Sequence, residues 1–360
     1  MCDPIAKLAH NEPNVWTMKK EILFLSLEDV VSAGGLDVKT AAEHLEHGFR
    51  LLSLGRVQQP MKTTLKPICE GGESEMGLVN CLPAYINLGE EEVFSCKILG
   101  AMPPNVRRGL PRATGLLTLF DSVHKSPLCV MDAQLISAVR TGAVSLLAAR
   151  RLVSPETEEV GLVGAGVNMR TQLLALHHAL PSLKRARVVS RGESKYEFAR
   201  EMERMTGIQI KAVQTPEDAV SGCKLVVTCL PNVTQPVVKA QWIDKVGVTV
   251  FNIGCYEVEA TLLSRMDRIV ADVWEQGKHR GVQTHAQAVA QGIIPETRVE
   301  DLAPILVGER PGRSARDENI FFCPTGLGFE DGIVGWNIYK SALARRIGTT
   351  LTLWNSPKWI

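Results

Sequence analysis

Four basic residues between positions 56 and 142 stand in apolar or small-residue surroundings. Lys97 lies within the apolar run 93–100, Arg140 lies among small apolar residues, and Lys62 and Arg112 border short uncharged segments. An unpaired charge in such surroundings is costly, so each of these side chains needs a partner. The partner can be a carboxylate of the protein itself or a carboxylate of a bound molecule. A long side chain can instead extend its charged end to water.

The pair Lys97 and Arg140 favours a site for a substrate with several carboxylates. The arginine fork donates two hydrogen bonds to one carboxylate, which makes it the better clamp. A lysine whose pKa is lowered by burial among cations can donate or accept a proton.

A glycine-rich turn in the middle of the chain indicates a nucleotide site. An apolar run over 159–163 ends in Gly164-x-Gly166, and amphipathic sequence follows. In a dinucleotide-binding unit the first glycine permits a tight bend, the second lets the backbone approach a pyrophosphate, and the next helix offers free N–H groups. Met169 stands where a third glycine is expected, so an ordinary tight turn is the alternative.

Two further strand ends would complete the cofactor site. Ser190 and Arg191 stand where NAD-binding proteins usually have an acidic residue for the ribose hydroxyls, which favours NADP. Alternatively, Arg191 covers the adenine or faces water. Thr228 and Leu230 end a later strand, and we expect them to face the ribose or the nicotinamide.

The composition is that of a globular protein, and its nearly balanced charge gives no reason to expect binding to a nucleic acid or an anionic membrane. The 360 residues include 40 basic and 39 acidic ones, and 45% are hydrophobic. No apolar run approaches the ~20 residues that span a bilayer, and the N-terminus lacks the build of a signal peptide. The nine scattered cysteines indicate reduced thiols, so we expect a cytoplasmic protein. The paired His177-His178 has no third ligand nearby, so no metal site is predicted.

The order of elements predicts an α/β protein with two domains. The first 130 residues are rich in strand-like runs and are closed by a long helix that Asp132 can cap. From residue 158 strands and helices alternate, which predicts a doubly wound parallel sheet in a Rossmann domain of residues 151–325. The stretch 326–353 predicts a long helix that packs back on the first domain. That domain is therefore predicted to contain residues 1–150 and 326–360. The predicted strands of the parallel sheet are 159–163, 186–190, 208–213, 224–229, 248–253 and 268–272, and its predicted helices are 167–180, 193–206 and 216–222.

Three stretches together carry a resemblance to a known family. They are the runs 140–145 (Arg-Thr-Gly-Ala-Val-Ser), 163–167 (Val-Gly-Ala-Gly-Val) and 326–331 (Gly-Leu-Gly-Phe-Glu-Asp). With these motifs the chain resembles the ornithine cyclodeaminase/mu-crystallin family over nearly its whole length. The resemblance implies a Rossmann domain, a nicotinamide cofactor, and an α/β domain that binds a small substrate and forms a homodimer.

Within that family the likeness is strongest to members that oxidise the secondary amine N-(2-amino-2-carboxyethyl)-L-glutamate. The likeness implies oxidation of its C–N bond to an imine, which water splits into 2-oxoglutarate and L-2,3-diaminopropionate, a siderophore precursor. The shared stretches are 59–62, 96–100, 112–115, 272–274 and 347–353. The alternatives are an imine reductase or opine-type reductive amination, a cyclodeaminase-type lyase, and a ligand-binding protein without catalysis.

The resemblance also implies roles for individual residues. Lys62, Arg112 and Arg140 would hold substrate carboxylates, and Lys97 would transfer a proton beside the reacting carbon. The pyrophosphate would meet Gly164, Gly166, Val167 and Asn168, with Thr141 reaching it from the other domain, while Gly326, Glu330 and Asp331 would line the nicotinamide pocket.

Two positions depart from the family pattern. Cyclodeaminases carry an aspartate in the loop after the strand near the nicotinamide, where this chain has Tyr256. This departure counts against ornithine deamination and places Tyr256 beside the substrate. Ser190 and Arg191 replace an acidic residue of the dehydrogenase relatives, which favours NADP(H) and admits a reductive direction.

Overall fold

The computed structural model describes residues 19–67, 77–231, 233 and 235–358, and two eight-stranded sheets organise them. The first sheet contains β1 (Lys20–Leu25), β2 (Val57–Gln58), β3 (Thr63–Leu65), β4 (Leu78–Asn87), β5 (Glu92–Ala101), β6 (Ala113–Phe120), β7 (Pro127–Asp132) and β16 (Thr349–Trp354). Their order is β16-β1-β7-β6-β5-β4-β2, and β3 also pairs with β4. Strand β1 runs parallel to β7, and the other neighbours are antiparallel.

Helices cover one face of the first sheet, called here the inner face. Helix α10 (Gly328–Arg345) lies directly on β4, β5 and β6, while α2 (Val38–Ser53) and α3 (Gln134–Leu152) pack beside it, and the short α1 (Leu27–Ser32) follows β1. A Cβ on Gly335 would lie 2.2 Å from the side chain of Leu117, so glycine permits this close approach. Successive strand residues alternate between faces, and Val93, Ser95 and Lys97 of β5 are all buried. Lys97 therefore points towards the helices.

The second sheet is parallel throughout, which confirms the predicted doubly wound α/β architecture. Its strand order is β10-β9-β8-β11-β12-β15-β13-β14. The direction of winding reverses between β8 and β11, and such a point forms a crevice at the carboxyl ends of the strands. The strands are β8 (Glu159–Val163), β9 (Arg185–Val189), β10 (Gln209–Ala212), β11 (Leu225–Thr228), β12 (Thr249–Asn252), β13 (Arg268–Ala271), β14 (Val299–Asp301) and β15 (Ile320–Cys323), and the helices are α4 (Val167–Ala179), α5 (Ser194–Thr206), α6 (Pro216–Val220), α7 (Trp274–Arg280), α8 (Thr284–Ala290) and α9 (Leu302–Leu306).

The last stretch of the chain differs from the helix predicted over 326–353. Helix α10 ends at Arg345, Arg346 and Gly348 adopt positive φ angles of 55° and 102°, and β16 follows. The alternating Thr and Leu residues of 349–353 favour an extended strand, and β16 pairs with β1 at the edge of the first sheet. The final helix packs on β4, β5 and β6 of the first sheet.

The face of the first sheet opposite the helices, called here the outer face, is not covered by the described residues. Val79, Ile98 and Leu116 lie on it with exposed fractions of 38%, 46% and 47%. Ile98 is directly opposite Leu116 across β5 and β6, so the apolar side chains are contiguous. Among the described helices, none is both long and apolar enough to cross a membrane.

Candidate active site

Buried ion pairs join β5, α3 and the first turn of α10. The amine of Lys97 lies 2.7 Å from Oδ1 of Asp331 and donates to Oγ of the half-buried Ser137 at 3.2 Å. The guanidinium of Arg140 lies 3.1 Å from Oε2 of Glu330 through Nη1 and 3.3 Å from Oδ1 of Asp331 through Nε. The two cations thus face the carboxyl groups of Asp331 and Glu330, which offsets part of the cost of burying them.

The expectation that Glu330 and Asp331 line the nicotinamide pocket stays a prediction. Both residues are fully buried, and their carboxylates are turned to Arg140 and Lys97. They lie behind the two cations and fix their positions. Burial lowers the pKa of Lys97 to about 8, against the opposing effect of Asp331, and burial raises the pKa of Glu330 to about 8.

Two predicted substrate ligands, Lys62 and Arg112, are half-buried and remain available for an anion. Within the described part of the chain neither side chain has an ion pair. Burial lowers the pKa of Lys62 well below its usual range, and the charges of Arg280 and Lys97 act in the same direction. The sequence analysis missed Arg280, because nothing in its local sequence distinguishes it from a surface cation.

The available cations converge on the loop that follows β12. Arg280, Lys62 and Arg112 each act electrostatically on the thiol of Cys255, although burial is the largest effect and raises the pKa of that thiol. Tyr256 follows Cys255, is half-buried and packs against the core of the second sheet. The predicted contact of Tyr256 with substrate stays a prediction.

The segment that carries Lys62 is held by Gln276, a residue of the half of the molecule built on the second sheet. Gln276 on α7 accepts from the backbone N–H of Lys62 at 3.2 Å and donates to the carbonyl of Pro60 at 3.2 Å. Gln59 in turn accepts from the backbone N–H of Phe329 at 3.5 Å. The two sheets are therefore coupled directly at the segment 59–62.

The glycine-rich turn has the geometry of a phosphate cradle. Gly164 has a φ of 117°, and a Cβ there would lie 2.3 Å from the carbonyl of Cys229, so only glycine fits between the ends of β8 and β11. At Gly166 no atom lies within 4 Å of the place a Cβ would take. Val167 and Asn168 begin α4 beside this open space, where backbone N–H groups without helical partners face outward. The turn fits the pyrophosphate of a dinucleotide.

Met169 and Thr141 lie on the protein side of that cradle. Met169, at the position of the third glycine of the motif, is fully buried. Thr141 is buried where α3 packs on α4, and its hydroxyl donates to the carbonyl of Ser137 at 2.7 Å. Its contact with the pyrophosphate stays a prediction.

The loop after β9 holds the residues expected to select the cofactor. The hydroxyl of Ser190 lies 2.8 Å from that of Ser194 at the start of α5. Arg191 is exposed. Since β9 is the parallel neighbour of β8, both residues follow a strand end next to the glycine turn, where a ribose binds in such folds.

Thr228 is fully buried, and its hydroxyl donates to Oε2 of Glu257 at 2.6 Å. Its expected contact with the ribose or the nicotinamide stays a prediction. Glu257, which the sequence analysis missed, also accepts from Asn252 Nδ2 at 2.8 Å and from the backbone N–H groups of Gly254 and Leu230. Burial raises the pKa of Glu257 to about 7. Leu230 itself is half-buried, and its contact with the cofactor stays a prediction.

Gly326 lies where the second sheet's half of the molecule meets Arg140. Its φ is 83°, and a Cβ there would lie 2.5 Å from Nη1 of Arg140. Asp272 accepts from the backbone N–H groups of Thr325 and Gly326, each at 2.7 Å. Asp272 therefore holds the turn that covers the guanidinium. Gly326 is buried, and its expected place in the nicotinamide pocket stays a prediction.

Comparison with known proteins agrees with this geometry. The family model described as ornithine cyclodeaminase/mu-crystallin matches residues 21–346. The chain is 30% identical to N-((2S)-2-amino-2-carboxyethyl)-L-glutamate dehydrogenase of Staphylococcus aureus, over 94% of this chain and 100% of that protein.

Two solved structures have the same fold. A Thermococcus litoralis Δ(1)-pyrroline-2-carboxylate reductase in complex with NADH and L-proline has a TM-score of 0.84 and 27% identity, covering 91% of this chain and 99% of that one. An archaeal alanine dehydrogenase dimer with bound NAD has a TM-score of 0.81 and 28% identity, covering 93% and 100%.

Proposed function

The chain belongs to the ornithine cyclodeaminase/mu-crystallin family, and we propose that it oxidises a C–N bond in an amine that carries several carboxylates. Its relatives include dehydrogenases and reductases of amino acids, and this chain is a nicotinamide-dependent enzyme of that class. The proposed substrate is N-(2-amino-2-carboxyethyl)-L-glutamate. The proposed products are 2-oxoglutarate and L-2,3-diaminopropionate, which would serve siderophore biosynthesis.

The convergence of available cations beside Lys97 is the observation that carries this proposal. A substrate with one carboxylate would need one cationic ligand, which Arg140 alone could supply. The guanidinium of Arg140 is already engaged by Glu330 and Asp331. Lys62 and Arg112 have no ion pair within the described residues and act on the same loop. A polycarboxylate would neutralise them, which a small monocarboxylic amino acid would not.

The proposed reaction removes a hydride from the carbon and a proton from the nitrogen of the secondary amine, which forms a C=N bond. Water then adds to that carbon and the C–N bond breaks, leaving a 2-oxo acid and a primary amine. Lys97 suits the proton transfers, because its pKa of about 8 lies near neutral pH. The hydroxyl of Ser137, at 3.2 Å from the amine of Lys97, is the half-buried group through which that proton reaches the cleft.

A nicotinamide dinucleotide, when bound, takes up the hydride that leaves the substrate carbon. Gly164, Gly166, Val167 and Asn168 would hold its pyrophosphate through backbone N–H groups. Arg191 would bind a 2′-phosphate, so NADP is the proposed form. The preference for NADP favours the reductive direction, so the second candidate function is the same bond chemistry run as a reduction. A relative of the same fold that is a reductase binds NADH and L-proline.

A homodimer is the proposed assembly. The outer face of the first sheet presents contiguous apolar side chains, including Ile98 and Leu116, that the described residues leave exposed. A patch of this kind is typical of a protein interface. The alanine dehydrogenase with the same fold is a dimer.

Incubation with N-(2-amino-2-carboxyethyl)-L-glutamate and either NAD or NADP tests the proposal, with products identified by mass spectrometry. We expect 2-oxoglutarate, diaminopropionate and one equivalent of reduced cofactor. Ammonia release from ornithine without net change in the reduced-cofactor absorbance would instead identify a cyclodeaminase. A rise in melting temperature with cofactor but no turnover of any amine or imine would identify a binding protein.

A further inference from the structure

We infer that Arg280 is a specificity-determining residue that binds a carboxylate of the substrate remote from the reacting carbon. The inference rests on the proposed function, because it concerns the same cleft and the same class of substrate. It adds a ligand from the nucleotide-binding half of the molecule to those that the first sheet supplies.

Helix α7 fixes the direction of Arg280. Gln276 and Arg280 are four residues apart, so they lie on one face of the helix. Gln276 uses that face to hold the backbone of Lys62 and the carbonyl of Pro60. Arg280 is therefore turned towards the segment that carries Lys62. Gly281, with a φ of 66°, ends the helix immediately after it.

Arg280 and Lys62 form a pair of like charges that has no ion pair among the described residues, although Asp331 acts on Lys62 with the opposite sign. Arg280 is half-buried, and within the described ranges its side chain has neither an ion pair nor a hydrogen bond. Of the charged groups that act on Lys62, Arg280 acts most strongly. Two neighbouring cations repel each other, and a bound carboxylate would remove that repulsion.

The third cation, Arg112, completes a set that matches three carboxylates. Arg280, Lys62 and Arg112 all act on the thiol of Cys255, as does Glu257 with the opposite sign, so the three cations lie near the loop that follows β12. Arg140 is buried against Glu330 and Asp331 beneath them. Because Lys62 and Arg112 belong to the first sheet's half, a substrate that also binds Arg280 spans the cleft. This arrangement selects tricarboxylates over amino acids with one carboxylate.

Arg280→Gln and Arg280→Lys test the inference with two amines. One is N-(2-amino-2-carboxyethyl)-L-glutamate, and the other is its analogue built on 2-aminobutyrate, which lacks the side-chain carboxylate. We expect Arg280→Gln to raise KM for the tricarboxylate about 10- to 100-fold with kcat nearly unchanged, and to leave the analogue within about threefold. Arg280→Lys should restore part of the loss. Equal losses for both amines, or no loss for either, would overturn the inference.

Lys278→Gln is the matched control, since Lys278 lies on α7 but pairs with Glu296 on the opposite side. It should leave both KM values unchanged. Calorimetric binding of citrate as a tricarboxylate probe separates the two proposals, because it needs no turnover. If the wild-type protein oxidises no amine but Arg280→Gln still weakens citrate binding at least about tenfold, the proposed function fails and the role of Arg280 stands. If turnover occurs and citrate binding is insensitive to the variant, the role of Arg280 fails alone.

Discussion

The amine of Lys97 lies 2.7 Å from Oδ1 of Asp331, and both side chains are buried between the first sheet and α10. The pairing of a strand lysine with a helix carboxylate 234 residues away sets the charge of the amine at the cleft. Burial pushes the amine towards its neutral form, and Asp331 pushes it towards the charged form. The balance leaves its pKa near the range in which a proton is exchanged at neutral pH.

Lys97→Ala is expected to abolish turnover while cofactor binding is retained. The variant removes the proton-transferring amine but leaves Gly164 and Gly166 of the cradle untouched. Among the described residues it also leaves Asp331 with an ion pair to Arg140 alone, so we expect a loss of about 3 kcal/mol in the free energy of unfolding. Cofactor titration and steady-state kinetics on the folded variant measure the two effects. Retained turnover would exclude Lys97 as the proton-transfer residue.

The pH dependence of kcat/KM should depend on the ion pair of Lys97 and Asp331. If Lys97 accepts the proton, kcat/KM of the wild-type enzyme rises with pH, reaches half its maximum near pH 8 and levels off above it, where the amine is neutral. Asp331 raises the pKa of Lys97, so Asp331→Asn should move this rise in kcat/KM, the rising limb of the profile, to lower pH. A pH–rate profile of both proteins measures the shift. An unchanged limb in Asp331→Asn would show that another group controls it.

The sequence predicts the α/β architecture well because its dominant signal is local. Apolar runs that alternate with amphipathic stretches predict β8 to β12 and α4 to α6. Gly164 predicts the turn between β8 and α4. The isolation of Lys97 and Arg140 in apolar sequence also predicts that they need partners. The identity of those partners depends on where α10 packs, and no local pattern at Glu330 or Asp331 reveals that their carboxylates face inward.

Other placements have the same long-range cause. The hydroxyl of Thr228 is buried against Glu257, 29 residues later, which offers it an acceptor. The strand β16 forms because β1 offers it an open edge. Arg280 reaches the cleft because Gln276 fastens α7 to the segment at Lys62. Each of these placements is decided by tertiary contacts that residue spacing does not encode.

The buried carboxyl of Glu257 should make stability depend on pH. Burial raises its pKa in the folded protein to about 7 from the ordinary 4.5, so its contribution is fully present below about pH 4.5 and is lost as pH rises through 7. The loss is of the order of 3 kcal/mol at pH 8. Glu257→Gln cannot ionise, so its melting temperature should fall less between pH 5 and 8. Calorimetry of both proteins across that range checks this, and parallel curves would contradict it.

Arg191→Asp is expected to move cofactor preference towards NAD. An acidic side chain after β9 would bind ribose hydroxyls and repel a 2′-phosphate. The ratio of kcat/KM with NADP to that with NAD should fall at least about tenfold, the scale of a hydrogen bond to a charged group. Arg204→Asp, at an exposed position on α5, makes the same charge change away from the strand end. An unchanged ratio in Arg191→Asp, or an equal change in the control, would reject the assignment.

Ile98→Glu should separate the proposed homodimer into monomers. Ile98 lies on the outer face of the first sheet, opposite Leu116 and 46% exposed, so a charge there would be buried without a partner in a dimer that uses this face. Sedimentation equilibrium is expected to give twice the chain mass of 39.4 kDa for the wild type and the single mass for the variant. Val123→Glu is the control, because Val123 is 78% exposed in the loop between β6 and β7. A wild-type protein that sediments as a monomer, or an Ile98→Glu protein that stays a dimer, would show that the outer face is not the interface.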